Sequence, residues 1–107
     1  MFKLKPEQIK DLIPHMGYCH ASDRITVNGE KVGFMYREEP ADEDDSGWRF
    51  LSGTEDQDYI DDPANSMIFE VNTIANYDAA IIPYLKLAAG TELEREPNSD
   101  SFTRITE

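Results

Sequence analysis

Cys19 and His20 are the residues whose types point most directly to chemistry, with His15 four positions before the cysteine. A thiol beside an imidazole is the minimum for a nucleophile and its base, and with a carboxylate it begins a zinc site. A tetrahedral site needs further ligands, and Asp23 is the one nearby carboxylate. Neighbours along a strand also point to opposite faces, which separates Cys19 from His20. A buried, apolar Cys19 with surface histidines is therefore expected, not a thiol enzyme.

The run Glu55-Asp56-Gln57-Asp58-Tyr59-Ile60-Asp61-Asp62 is dense in hard oxygen ligands. It lacks the glycine at the sixth position and the glutamate at the twelfth that a calcium loop of the EF-hand kind requires. The chain carries no phosphate-cradling glycine loop, no Gly-x-Ser-x-Gly elbow and no His-Glu-x-x-His pair. Carboxylate pairs for glycoside chemistry are defined by separation in space, so spacing along the chain does not reveal them. The expectation is a protein without catalytic residue, cofactor or metal. Tyr59 is a different matter, because an aromatic within an acidic turn is a candidate binding anchor.

Charge is the strongest compositional signal. Ten Lys and Arg stand against 22 Asp and Glu, a formal net charge of -12 over 107 residues. Between Glu38 and Asp62 lie eleven acids and one base, Arg49, so this window holds -10 of the total. Such a field repels nucleic acid and anionic membrane and attracts basic surfaces. Asp42, Glu43, Asp44, Asp45, Asp56, Asp58, Tyr59, Asp61 and Asp62 are accordingly the candidate partner-binding residues. Acidic loops that are merely solvated are the competing reading. Apolar runs fall short of the roughly 18 to 20 residues of a membrane span. One cysteine and a charged start without an apolar core give no sign of secretion, so a cytoplasmic location is expected.

The elements that must position these residues follow from periodicity. Pro6, with Ile9, Leu12 and Ile13 at helical spacing and Pro14 beyond, predicts a short helix over 5–13. Asn28-Gly29 marks a turn. Strands are predicted through Val32, Phe34 and Tyr36, through Trp48 and Phe50, and through Met67, Phe69 and Val71, with Trp48, Phe50, Phe34, Tyr36, Phe69 and Val71 expected to form the core. The stretch 72–87 reads as helix broken at Pro83. Two short strands, 91–95 and 102–105, flank a turn at Pro97-Asn98-Ser99-Asp100. The sum is a small single α+β domain over 1–107, an antiparallel sheet with short helices on one face.

Several of these segments resemble the immunity protein 33 family of bacterial polymorphic toxin systems, first catalogued as a domain of unknown function. The resemblance lies in Gly47-Trp48-Arg49-Phe50, Ser52-Gly53-Thr54-Glu55 and, most specifically, Val71-Asn72-Thr73-Ile74-Ala75-Asn76-Tyr77-Asp78. Ile81 to Leu85, Ser22 to Val27 and Val32 to Glu38 extend it, so it covers about 22–96. It implies a cytosolic, non-enzymatic protein that neutralises a co-encoded or imported toxin by binding it, and it supplies no catalytic residue. A protein partner is expected, a basic toxin domain in the first instance. An adaptor or regulator unrelated to toxins is the alternative.

Overall fold

The computed structural model describes residues 1–105. Six strands form one mixed sheet: β1 (Tyr18–Ser22), β2 (Phe34–Arg37), β3 (Asp45–Leu51), β4 (Ser66–Glu70), β5 (Glu92–Arg95) and β6 (Phe102–Arg104), in the order β4-β1-β3-β2-β5-β6. Three short helices accompany them, α1 (Asp23–Thr26), α2 (Gln57–Asp61) and α3 (Val71–Tyr77), with 3-10 turns at Pro6–Gln8, Pro63–Asn65 and Ala79–Tyr84. The α+β class is as expected. The sheet, however, is not wholly antiparallel: β1 runs parallel to β3, and the other pairings are antiparallel.

Alternation along β3 sorts the faces. Trp48 and Phe50 are fully buried, their rings stacked with centroids 6.0 Å apart, and Trp48 Nε1–H donates to the Leu85 carbonyl at 3.0 Å. Satisfying the indole N–H inside the core removes the main cost of burying tryptophan. Cys19, Ala21, Met35 and Leu93 join this face from the other strands, and Ile25, Val71, Ile74 and Ile81 close over it from the helical layer. Each fully buried large side chain contributes about 1.5 to 3 kcal/mol.

The helical segment after β4 is broken as anticipated, α3 ending at Tyr77 and Pro83 lying inside the 3-10 turn. Asp78 links the two pieces: its carboxylate accepts from Ala80 N–H and from Val32 N–H and is paired with Arg95. The turn at Asn98 has φ 57, a left-handed conformation that asparagine tolerates.

Three expectations beyond the sheet are corrected. Val71, expected in the third strand, is instead the first residue of α3, though buried in the core. The N-terminal helix over 5–13 is only the turn Pro6–Gln8, and residues 9–13 run past α3 without helical structure. The reason is competition for the backbone. Asn72 Oδ1 accepts from Leu12 N–H at 2.8 Å and Ile13 N–H at 3.2 Å, Asn76 Oδ1 accepts from Lys10 N–H at 2.9 Å, and both carboxamides donate to Lys10 O. Phe34 and Tyr36, expected in the core, lie half-buried on the opposite face, while Val32 and Met35 point inward. Alternation does not carry through Gly33, where the backbone passes so close to Ser52 that a Cβ would sit 2.0 Å from its carbonyl oxygen.

Candidate partner-binding face

The helical layer covers one side of the sheet and leaves the other largely open. On that open face the register brings five residues from five strands into one row: Ile68, His20, Arg49, Tyr36 and Glu92. At an inter-strand spacing of about 4.8 Å the row spans roughly 19 Å. Tyr18 flanks it on β1, and Phe34 and Leu51 flank it as a cross-strand pair. The Phe34 and Tyr36 rings lie 5.6 Å apart.

Arg49 organises this face. Its guanidinium makes a two-point pair with Asp45, at 2.9 and 3.0 Å, and donates to Glu38 at 3.0 Å and to its neighbour's carbonyl. Asp45 is buried and also accepts from Ala41 and Gly47 N–H. These bonds, that to Arg49 foremost, hold its carboxyl well below the usual carboxylate range. Gly47 permits the arrangement: its φ is 87 and a Cβ would meet Glu38 O at 2.3 Å. The single base of the acidic window is therefore matched by two carboxylates.

His20 sits between Arg49 and Ile68, and its pKa is lowered by partial burial and by the Arg49 charge. Tyr18 O–H donates to Asp42 at 2.9 Å, which raises the phenol pKa, and burial does the same for Tyr36, with Glu38 adding to it.

Beside the row lies a cleft of about 220 Å³ between the open face and α2, lined by His20, Tyr36, Arg49, Tyr59 and Asp62 among others. Arg24 pins α2 in place. Its guanidinium donates to the Thr54 carbonyl and hydroxyl at 2.7 Å each and lies 4.5 Å from the centroid of the Tyr59 ring. Glu55 anchors the same loop by accepting from Ser52 and Gly53 N–H. Burial raises the Glu55 pKa, but bonds from Ser22, Ser52 and the backbone outweigh it and the net shift is downward.

The candidate acids divide into two groups at opposite ends of β3, separated by about 20 Å at strand rise. Asp42, Glu43 and Asp44 are exposed at one end, whereas Asp45 is internal and committed to Arg49. Asp56, Asp58, Asp61 and Asp62 are exposed at the other. Asp56 caps α2 through Tyr59 N–H, and Asp62 caps the following turn through Ala64 N–H. Tyr59 is half-buried under Arg24 and lines the cleft. The sequence reading did not place Tyr18, His20, Arg49 and Ile68 on a binding face. The available signal was that the first three alternate with core residues: Tyr18 and His20 with Cys19 and Ala21, Arg49 with Trp48 and Phe50.

Cys19 and His20 do face opposite sides, and burial pushes the Cys19 thiol far up. Among the described residues, no three His, Cys, Asp or Glu side chains are grouped to hold a metal ion, and no helix is long and apolar enough to cross a membrane.

The model of the immunity protein Imm33 domain matches residues 19–106. The chain belongs to the Imm33 family. Comparison with curated proteins and with solved structures gave no match. The Imm33 match takes in nearly all of the six strands and α1 to α3, so the open face and the cleft both lie within the family domain. Immunity proteins are in general non-catalytic and act on a protein partner, a toxin.

Proposed function

We propose that this Imm33 domain is a cytoplasmic, non-enzymatic immunity protein that neutralises a basic toxin domain by binding it across the open face of the sheet. The observation that carries the reading is the row Ile68, His20, Arg49, Tyr36 and Glu92, left uncovered by the helical layer. Half-buried aromatics on a fixed sheet supply contact area at low entropic cost, the chemistry of a binding anchor. Tyr36, with Tyr59 across the cleft, is the central anchor pair.

The acidic groups at both ends of β3 then act as a rim. They steer a positively charged surface onto the face, raising the association rate more than the final affinity. A toxin that cuts nucleic acid carries a positive groove, and an acidic rim competes for it as phosphate does. Asp45 contributes indirectly, by holding Arg49 flat within the face.

The test is calorimetric titration of the purified protein with the toxin domain encoded beside it. A 1:1 complex is expected, and Tyr36→Ala should weaken it at least tenfold while Lys86→Ala, on the exposed end of the helical layer, leaves it unchanged. Failure of the toxin to bind would overturn the immunity role. Binding indifferent to Tyr36→Ala would overturn the choice of face.

A further inference from the structure

The two edges of the sheet are built differently. β6 is three residues long and ends on Arg104, a short charged edge of the kind that resists pairing. β4 is five residues long, carries no charge before Glu70, and exposes Ile68 by 59% and Met67 by 48%. Phe2, itself 39% exposed, stands on Phe69 with ring centroids 5.4 Å apart, on the face Met67 shares and opposite to that of Ile68.

The direction of the free hydrogen-bonding groups follows from the register. Val71 N–H donates to Gly17 O at 3.2 Å, and Tyr18 pairs with Glu70, Cys19 with Phe69 and His20 with Ile68. Hydrogen-bonded and non-bonded pairs alternate in an antiparallel ladder, so Met67 and Phe69 turn their backbone groups toward β1. Ser66, Ile68 and Glu70 turn theirs outward. Among the described residues nothing pairs with the Ile68 N–H and C=O on that side.

We infer that the outer edge of β4 receives an extended segment of the protein partner, which adds a seventh strand to the sheet through the Ile68 backbone. This rests on the partner-binding reading above and extends its face by one strand, because Ile68 already ends the cross-sheet row. Main-chain bonds supply affinity in such strand addition, and alternate side chains supply selectivity.

Charge selects the occupant. Glu70 closes one end of β4, and Asp61 and Asp62 precede the 3-10 turn that leads into Ser66 at the other. A second copy paired antiparallel about Ile68 would set the Asp62 end of one chain against the Glu70 end of the other, acid against acid, between molecules of charge -12. An incoming strand with apolar alternate residues and Lys or Arg at its flanks matches both ends.

The experiment tracks the Ile68 amide by hydrogen exchange. The first probe is a synthetic peptide of alternating valine and threonine flanked by two lysines at each end, with a glutamate-flanked peptide as its counterpart. The lysine peptide should slow Ile68 exchange at least tenfold and leave Phe69, already bonded to β1, unchanged, while the glutamate peptide has no effect. The second probe is the toxin domain. Ile68→Pro removes an outward N–H without breaking the ladder to β1, and should weaken the complex at least tenfold. Ile68→Val keeps both the N–H and an apolar β-branched side chain and should retain most of the binding that Ile68→Pro loses, and unaltered Phe69 exchange reports that both variants are folded. An Ile68 amide indifferent to the lysine peptide and to a bound toxin overturns strand addition while leaving the toxin-binding reading intact. Ile68 protection that grows with protein concentration alone would assign the edge to a second copy and overturn it as well.

Discussion

Trp48 and Asp45 each hold a part of the fold that a single substitution tests. Trp48→Ala should lower stability by about 3 to 5 kcal/mol, since it removes a fully buried indole and its hydrogen bond to the Leu85 carbonyl. Urea denaturation measures this, and a loss below about 1 kcal/mol would contradict the placement. Asp45→Asn should cost about 3 kcal/mol, because it leaves the largely buried Arg49 without its main counter-charge. The Asp45 carboxyl is held low in the folded state, so its contribution is complete above the unfolded carboxylate value near pH 4. It is lost as pH falls through the lower, folded value. In acid titrations followed by circular dichroism, the wild type should therefore lose stability steeply below about pH 4, and the variant less steeply. His20 also favours its uncharged form in the fold, so it stabilises fully above the ordinary histidine value near 6.5 and less as pH falls below it. Its ring protons should titrate below that value by NMR.

Among the elements, short-range patterns were legible and long-range competition was not. The strand pair 91–95 and 102–105, the break at Pro83 and the buried aromatic pair on β3 were all readable from alternation and turn residues. The helix read over 5–13 failed because Asn72 and Asn76, some 60 positions away, capture the backbone groups of Lys10, Leu12 and Ile13. No local periodicity encodes that capture. The inverted face of β2 has a similar origin, since the close approach of Gly33 to Ser52 interrupts an alternation that otherwise looks continuous. The parallel pairing of β1 with β3 likewise depends on which strand β1 docks against, a choice made between distant segments. Asn72→Ala should free the N-terminal stretch and leave the sheet in place. Hydrogen exchange at Leu12 and Ile13 should accelerate at least tenfold while that at Phe50 does not change.

At the scale of the molecule, the sequence reading grouped the acids of the Glu38 to Asp62 window as one charged segment. The structure sets them at the two ends of β3 and puts an aromatic face between them. Neutralising Asp42, Glu43 and Asp44 together should slow association with the toxin domain, and so should Asn at Asp56, Asp58, Asp61 and Asp62, a change that keeps the caps. Stopped-flow measurements should show the effect largest at low salt and shrinking above about 0.15 M, where the Debye length is about 8 Å. The dissociation rate should stay nearly constant. The central claim, that the open face and not the helical layer meets the partner, is most directly tested by NMR cross-saturation from the bound toxin domain to the amides of this protein. Transfer concentrated at Tyr18, His20, Tyr36 and Ile68 is the expected result; transfer concentrated at Thr73, Ala79 and Lys86, on the outer side of the helical layer, would contradict it.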